Sequence, residues 1–574
     1  MRRYRTDVLV IGGGGAATAS TIAAHDNGAR TMLAVKGRFG VAGVRGAGAT
    51  SNPIGDYWTI RTVGPDGGLF NPPNAVHADM VQAGLGMADP ELCRIFVDEV
   101  PEAIKRLKGM GMRFKSKMIA TMDGRRNDQG TNNIVAIQKA VIQQTGTEVV
   151  EGANIIDLIV ENGHCIGAVG VHDDGEAFAI EAGAVVLATG GVGQLFRHSF
   201  NPPGNTGDGY AMAMRAGADL FNMEFMQQGL ATTWPTQAMI MLYEMEEPYR
   251  LVNAKGRFFV QDYLPSGVTL KEVSDLKAMH WPVSCRDAAI HLDRAIKQET
   301  LKGNATGEHG IFLDFASADR GFEPELFVEF MTANGIDVRR DLIQVQMHHH
   351  TSNGGVRINA RAETPSIEGL FAVGEVAGWQ GADRLGGTML GGSQVFGWRA
   401  GKYAAERAKA LEPTADEAEI ERLLEPLKRL GQPSAGGIGS RPADVLPKLQ
   451  HVMWDALIVE KDETSLARAR DALAVHRDWF ENGAAIAEPM DLALAMELRN
   501  LNDVGEAIVE AASMRTESRG AHVRSDFPER DDANWLANIF ATHSEGKVDL
   551  RKDWVSAATG WEDHPGDIRI KPWG

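Results

Sequence analysis

The segment VQMHHHTSNGGV, which starts at Val345, sets His348, His349 and His350 side by side. Three adjacent imidazoles suggest a metal site. Successive residues of a strand point to opposite faces, so three neighbouring rings cannot aim at one ion unless the strand breaks. The chain also lacks a Cys/His/Asp cluster at metal-ligand spacing, and no metal is expected. The expected role of His349 is a buried ring satisfied by a hydrogen bond, and the same role stays open for His348.

A second candidate for chemistry lies in DVLVIGGGGAATASTIAAHDNGARTMLAVKG. Gly12, Gly14 and Ala17 fill the G-x-G-x-x-G/A template between an apolar run and an Ala-rich helical run. The first glycine makes the tight turn and the second lets backbone approach a pyrophosphate. The small third residue lets the helix pack on the sheet, and the helix N-terminus stabilises phosphate charge. One expected residue is missing. The second strand usually ends in an acid for a ribose hydroxyl, and here it reads Leu33-Ala34-Val35-Lys36.

The elements that must position these groups follow from pattern. AGAVVLATGGVGQLF and SIEGLFAVGEVAG read as two further buried strands, ending at Thr189-Gly190-Gly191 and Gly374-Glu375. Three such strands scattered along the chain imply one nucleotide-binding domain with an insertion. From about residue 411 the spacing turns to i, i+3, i+4 and predicts helices, with Pro442 and Pro447 marking breaks between them. The tail after Arg530 carries few helix signals and is expected to wrap the body.

Composition narrows the classes. A length of 574 residues implies two to four domains. The net charge of -18 argues against nucleic-acid binding, which needs a basic face. Cys93, Cys165 and Cys285 form no CxxC pair and no disulfide framework, which fits a reducing, cytoplasmic setting. Asp7 interrupts the arginine-rich start, and Val8 to Ile11 is too short for a signal-peptide core, so this segment is expected to be a first strand. No apolar run approaches the roughly 18 residues of a membrane span.

Four segments give the chain a resemblance to a known family: VLVIGGGGAA, NTGDGYAMAMRAGA from Asn205, GLFAVGEVAGWQGADRLGG from Gly369, and ASMRTESRGAHVRSDFPERDD from Ala512. Together they resemble the flavoprotein subunits of succinate dehydrogenase and fumarate reductase, with L-aspartate oxidase as a sister. The fold class this implies is α/β: a Rossmann-like FAD-binding domain with an inserted α+β capping domain and a C-terminal helical domain. The corresponding layout is a split FAD domain at 1–235 and 345–410, a cap at 236–344, a helical domain at 411–530 and a tail at 531–574.

The resemblance implies FAD as cofactor. The residues assigned to it are Gly12, Gly14, Gly15, Ala16 and Ala17 in the first turn, then Lys36, Ala49, Thr189 and Gly190. By resemblance Asp208 lies near the flavin, Glu375 holds the ribitol or ribose side, and Thr388 to Leu390 approach the pyrimidine end. VKGRFGVAGVRGAGATS matches the segment that carries a flavin-linked histidine in many succinate dehydrogenases, and it contains none, so FAD is expected to be non-covalent.

Guanidinium binds carboxylate in a bidentate fork, so a carboxylate substrate calls for arginine. Arg384 matches the family's carboxylate-binding arginine and also touches the cofactor in this reading. Asp383 stands before it where the family usually has Asn, and an Arg384–Asp383 pair is the competing role. His350 matches the substrate-binding histidine, and Arg286 matches the proton donor, with Asp287 near a helix N-terminus. Glu247 and Arg250 have the E-x-x-R spacing of a proton relay but the wrong offset, so a solvated loop is expected. The family's QFHPTG segment is replaced around Gln227, Gln228 and Gly229. That makes a plain C4 dicarboxylate less secure as substrate and suggests a modified acid, or a larger one using the space at Gly229. The alternatives are an amino-acid oxidase of the L-aspartate oxidase type, or a catalytic subunit serving an iron–sulfur partner. Adenylylsulfate reductase α subunits share the FAD domain but differ in the GADRLGG loop.

Overall fold

The computed structural model describes residues 1–46, 48–51, 59–60, 71–114, 120–121, 133–238, 250–303, 305, 310–316, 328, 331–411, 413–431, 439–544 and 546–555. Strand Arg2–Ile11 runs through the centre of the largest sheet, and its Val8 to Ile11 stretch is buried. A parallel sheet covered on both faces needs such continuous apolar runs. Its parallel strands lie in the order Glu148–Glu151, Thr31–Val35, Arg2–Ile11, Ala177–Leu187, and Leu370–Ala372 pairs with the end of Ala177–Leu187. The first half of Ala177–Leu187 pairs instead, antiparallel, with His164–His172. The three apolar runs read from sequence are therefore adjacent strands of one sheet.

Helix Gly15–Asp26 lies against helix Thr388–Ala408, joining segments far apart in the chain. Glycine makes this close approach possible. A Cβ on Gly401 would stand 2.2 Å from the Ser20 carbonyl oxygen.

A second, four-stranded antiparallel sheet has the order Met226–Trp234, Ile343–Ser352, Ile311–Asp314, Arg250–Val252. Its register sets Gln228 opposite His349 and Gly229 opposite His348. Helices Leu270–Met279 and Ile290–Leu301 follow in this part of the chain, tied by the Lys277–Asp293 ion pair at 2.6 Å, with both side chains fully buried. Unpaired, either charge would be costly there.

Helices Pro442–Leu457, Glu463–Asp478 and Pro489–Met514 make up the helical portion. Pro442 opens its helix at the first position, where a missing N–H costs nothing. Pro447 does not mark a break. It lies inside the same helix, whose buried Leu449, Met453, Trp454 and Leu457 carry the element through. The residues after Arg530 form a hairpin of Ala537–Ser544 and Lys547–Trp554, which extends a small sheet containing Leu220–Phe221, Gly355–Arg357 and Ala377–Gly378. Among the described residues no helix is long and apolar enough to cross a membrane.

Candidate active site

The first turn behaves as a cradle. Gly12 has φ +126, and a Cβ there would sit 2.2 Å from the Ala188 carbonyl oxygen, so only glycine lets the turn close on the end of strand Ala177–Leu187. The Gly15 backbone N–H donates to Thr50 Oγ1 at 2.7 Å, which fixes the 3-10 turn Ala49–Ser51 against the helix start. Ala49, assigned to the cofactor by the resemblance, opens this turn, and Thr50 ties the turn to the helix start. A hydroxyl one position on is the kind of signal that a glycine template does not carry.

Lys36 and Asp208, expected as separate cofactor residues, are one cluster. Lys36 Nζ donates to Asp208 Oδ2 at 2.6 Å, Thr206 Oγ1 at 2.7 Å and Glu497 Oε1 at 2.8 Å. Burial acts to raise the Asp208 pKa, but the Lys36 charge and three hydrogen bonds outweigh it and hold the group below its ordinary value. The absent acid at the end of Thr31–Val35 is thus replaced by a cation locked to helix Pro489–Met514.

Glu375 lies in the turn Gly374–Val376, and its Oε1 accepts from the Ser352 backbone N–H at 3.1 Å. It fills the place beside Gly191, where a Cβ would meet Oε1 at 2.1 Å. Burial pushes its pKa up to about 7. Thr388 begins helix Thr388–Ala408 after Gly387 at φ +81, and its hydroxyl donates to Leu385 O at 2.7 Å and lies 2.6 Å from Gln380 Oε1. Leu390 is buried on the same first turn.

His348, His349 and His350 all belong to strand Ile343–Ser352, and their rings alternate. His348 and His350 both face Phe200, at ring-centroid distances of 5.3 and 5.5 Å. His349 turns to the other side and stacks on Phe196 at 4.6 Å. The hydrogen bond expected for His349 is not made: neither of its ring nitrogens has a partner among the described residues. Aromatic stacking takes its place, and burial lowers its pKa to about 3. His348 Nδ1 lies 2.9 Å from the Gln346 carbonyl oxygen, and burial lowers the ring to about 4. Among the described residues no group of three or more His, Cys, Asp and Glu is placed to hold a metal ion.

Arg384 Nη2 approaches His350 Nδ1 at 3.4 Å. Guanidinium can only donate, so Nδ1 is the acceptor and the ring proton sits on Nε2. Burial, followed by the charge on Arg384, depresses the His350 pKa well below its ordinary value. The result is a neutral imidazole with an N–H to offer beside a fixed cation.

Asp383 does not spend its carboxylate on the Arg384 guanidinium. Its Oδ1 accepts from Gln227 Nε2 and from the Arg384 backbone N–H, each at 3.0 Å, and its Oδ2 lies 3.5 Å from Arg286 Nη1. The two departures noted in the sequence, at Asp383 and around Gln227, are therefore in contact. They also tie Arg286 to the Arg384 loop. Arg286 sits in the turn before helix Ile290–Leu301, with Asp287 Oδ1 accepting from the Ala289 N–H at 3.0 Å and Asp287 Oδ2 3.0 Å from His280 Nε2.

The expected space at Gly229 is filled. A Cβ at Gly229 would lie 2.2 Å from Trp281 Cζ2, so the indole rests on the bare backbone. Trp281 then meets His350 edge-on at 4.9 Å and Phe200 at 5.4 Å. Gln228 turns away to the helical portion, bonding Leu457 O at 3.2 Å and the Val459 N–H. Glu247 lies outside the described residues, as does the Arg250 side chain.

A family model described as FAD binding domain matches residues 7–390, and one described as fumarate reductase flavoprotein C-term matches residues 447–565. The chain belongs to the fumarate reductase and succinate dehydrogenase flavoprotein family. This flavoprotein is 27% identical over 583 residues to the fumarate reductase flavoprotein subunit of Haemophilus influenzae, covering 95% of this chain and 93% of that one. It is 29% identical over 561 residues to L-aspartate oxidase of Streptomyces coelicolor, covering 93% and 90%. Among solved structures it resembles Mycobacterium smegmatis Sdh1 in complex with UQ1, at a TM-score of 0.78 and 26% identity, over 96% of this chain and 94% of that one. The flavoprotein is thus an FAD-dependent oxidoreductase with the Rossmann-like domain and C-terminal region of its family. Its residues fit that cofactor: the Gly12 cradle, the helix start at Gly15, the Glu375 carboxylate and the buried Thr189 Oγ1, which has no hydrogen-bond partner among the described residues, all gather at the ends of the parallel strands.

Proposed function

We propose that this flavoprotein catalyses hydride exchange between flavin N5 and a carbon next to a carboxylate, with Arg384 and His350 holding the carboxylate and Arg286 moving the proton. The observation that carries this reading is the convergence of the three side chains: His350 on Arg384 at 3.4 Å, and Arg286 tied to the same loop through Asp383 at 3.5 Å. When bound, FAD supplies the hydride acceptor or donor. Arg384 provides fixed charge for the carboxylate, and His350 Nε2–H adds a directed hydrogen bond. Arg286 is held in position by the carboxylates of Asp383 and Asp287. An arginine acid suits a strongly basic carbanion, for which the transfer is downhill.

Gly12, Gly14 and the helix start support the pyrophosphate in this reading, Glu375 the ribitol or ribose, and Thr388 to Leu390 the pyrimidine end of a non-covalent flavin. The division into 1–235 with 345–410, 236–344, 411–530 and 531–574 remains our proposed layout, as does a cytoplasmic location. A partner subunit is supported by the naming of the relatives as flavoprotein subunits, and an iron–sulfur protein is the partner we propose. Reoxidation of the reduced holoenzyme by a panel of unsaturated carboxylates tests the reaction. Peroxide release on addition of L-aspartate would favour the oxidase instead.

A further inference from the structure

The substrate's far end is addressed by two features of the same site. The first is charge. Two carboxylates, Asp383 Oδ2 at 3.5 Å and Asp287 Oδ2 at 4.0 Å, face the single guanidinium of Arg286, so these three side chains together carry a net negative charge. Asp383 is 1% exposed, and its Oδ1 is fixed by Gln227 and the Arg384 backbone. It is a rigid negative charge one residue from the proposed carboxylate-binding Arg384. In a poorly hydrated site a second anion brought close to it is repelled far more than in water.

The second is surface. Among the described residues, the His350 ring is flanked by the Arg384 guanidinium and by two aromatic rings, Trp281 at 4.9 Å and Phe200 at 5.5 Å. Trp281 and Phe200 also meet each other at 5.4 Å, which makes a continuous aromatic wall. The wall is held in place: the indole sits on Gly229, where no side chain fits, and its N–H points to Leu230 O at 3.4 Å. Such a wall offers apolar area and edge or face contacts to a planar group, and no counter-charge.

We infer that the substrate is a monocarboxylate bearing an apolar or aryl arm, with the carboxylate on Arg384 and His350, the arm on Trp281 and Phe200, and Asp383 rejecting a second carboxylate. This rests on the proposed placement of the carboxylate at Arg384 and His350, but not on turnover. The test is equilibrium binding to the FAD-loaded protein, by calorimetry, of 3-phenylpropanoate against succinate. The expected result is a Kd about tenfold or more tighter for 3-phenylpropanoate. Asp383→Asn, which keeps the shape and removes the charge, should tighten succinate by about tenfold. Trp281→Phe should weaken 3-phenylpropanoate by several-fold while leaving succinate almost unchanged. Succinate binding as tightly as 3-phenylpropanoate in the parent protein would overturn the inference. So would an unaltered preference in Asp383→Asn, or the absence of binding by either acid. Tight 3-phenylpropanoate binding with no reoxidation of reduced flavin by any unsaturated acid would leave this inference standing and remove the proposed reaction.

Discussion

Arg384 Nη2 and His350 Nδ1 are 3.4 Å apart, and this contact fixes the histidine as a neutral ring with its proton on Nε2. A neutral donor next to a cation binds a carboxylate without competing for its charge. Replacing His350 with Gln, which keeps an N–H donor, should lower kcat/KM by about tenfold, and His350→Ala by about a hundredfold or more. Flavin content should stay at the parent level in both. Equal activity in the Ala and Gln variants would show that the donor on Nε2 is not used.

Arg286 reaches the Arg384 loop through the Asp383 carboxylate at 3.5 Å, and the proton transfer proposed for it depends on its charge and on its position. Arg286→Ala should reduce turnover by about three orders of magnitude or more, with bound FAD unchanged. Arg286→Lys should recover part of the rate, with a pH optimum moved lower because a lysine ammonium loses its proton more readily than a guanidinium. Steady-state rates across pH check both outcomes. Full turnover in Arg286→Ala would remove the residue from the mechanism.

Local patterns in the sequence reached the parallel sheet, the glycine cradle and the family, because these depend on residues near one another in the chain. The three buried strands at Val8, Val185 and Leu370 were legible as apolar runs, and the structure places them in one sheet. Alternation predicted that the three histidines would split between two faces, and Phe200 and Phe196 receive them on opposite sides. What could not be read was who fills whose space. Gly229 in isolation looks like room, and only the fold brings Trp281, 52 positions later, onto its backbone. Asp383 likewise read as a partner for its neighbour Arg384, whereas tertiary packing turns it to Arg286 and Gln227. Pro447 misled because an amphipathic face packed against the body outweighs the local cost of proline in a helix.

The Gly229–Trp281 contact makes a stability prediction independent of any substrate. Gly229→Ala puts a Cβ 2.2 Å from Trp281 Cζ2 and forces the indole to shift. A cost of about 1–3 kcal/mol is expected from overpacking. In the Trp281→Phe background the same substitution should cost much less, because the clashing ring atoms are gone. Denaturant unfolding of the four proteins of this cycle measures the coupling, and additive effects would show that the two residues do not share the space.

The family's flavin-linked histidine has no counterpart among residues 35–51, so FAD should leave the protein on denaturation. Acid precipitation should put essentially all of the yellow chromophore in the supernatant. Flavin that stays with the pellet would show a covalent link at some other residue.

Glu375 gives the last prediction, a pH dependence with a definite sign. Its pKa is raised from 4.5 to about 7 by burial, so between these values the folded flavin-free protein holds a proton that the unfolded chain has released. Stability from this group is therefore full below about pH 4.5 and declines as pH rises towards 7. Glu375→Gln keeps the size and a polar head while removing the titration. The flavin-free variant should lose that downward slope between pH 4.5 and 7, and its margin over the flavin-free parent should be largest above pH 7. Thermal unfolding of both apoproteins across this range measures it. Parallel curves would mean that Glu375 is ionised in the fold, held by the Ser352 N–H and by the positive charge of Arg384 more strongly than burial opposes it.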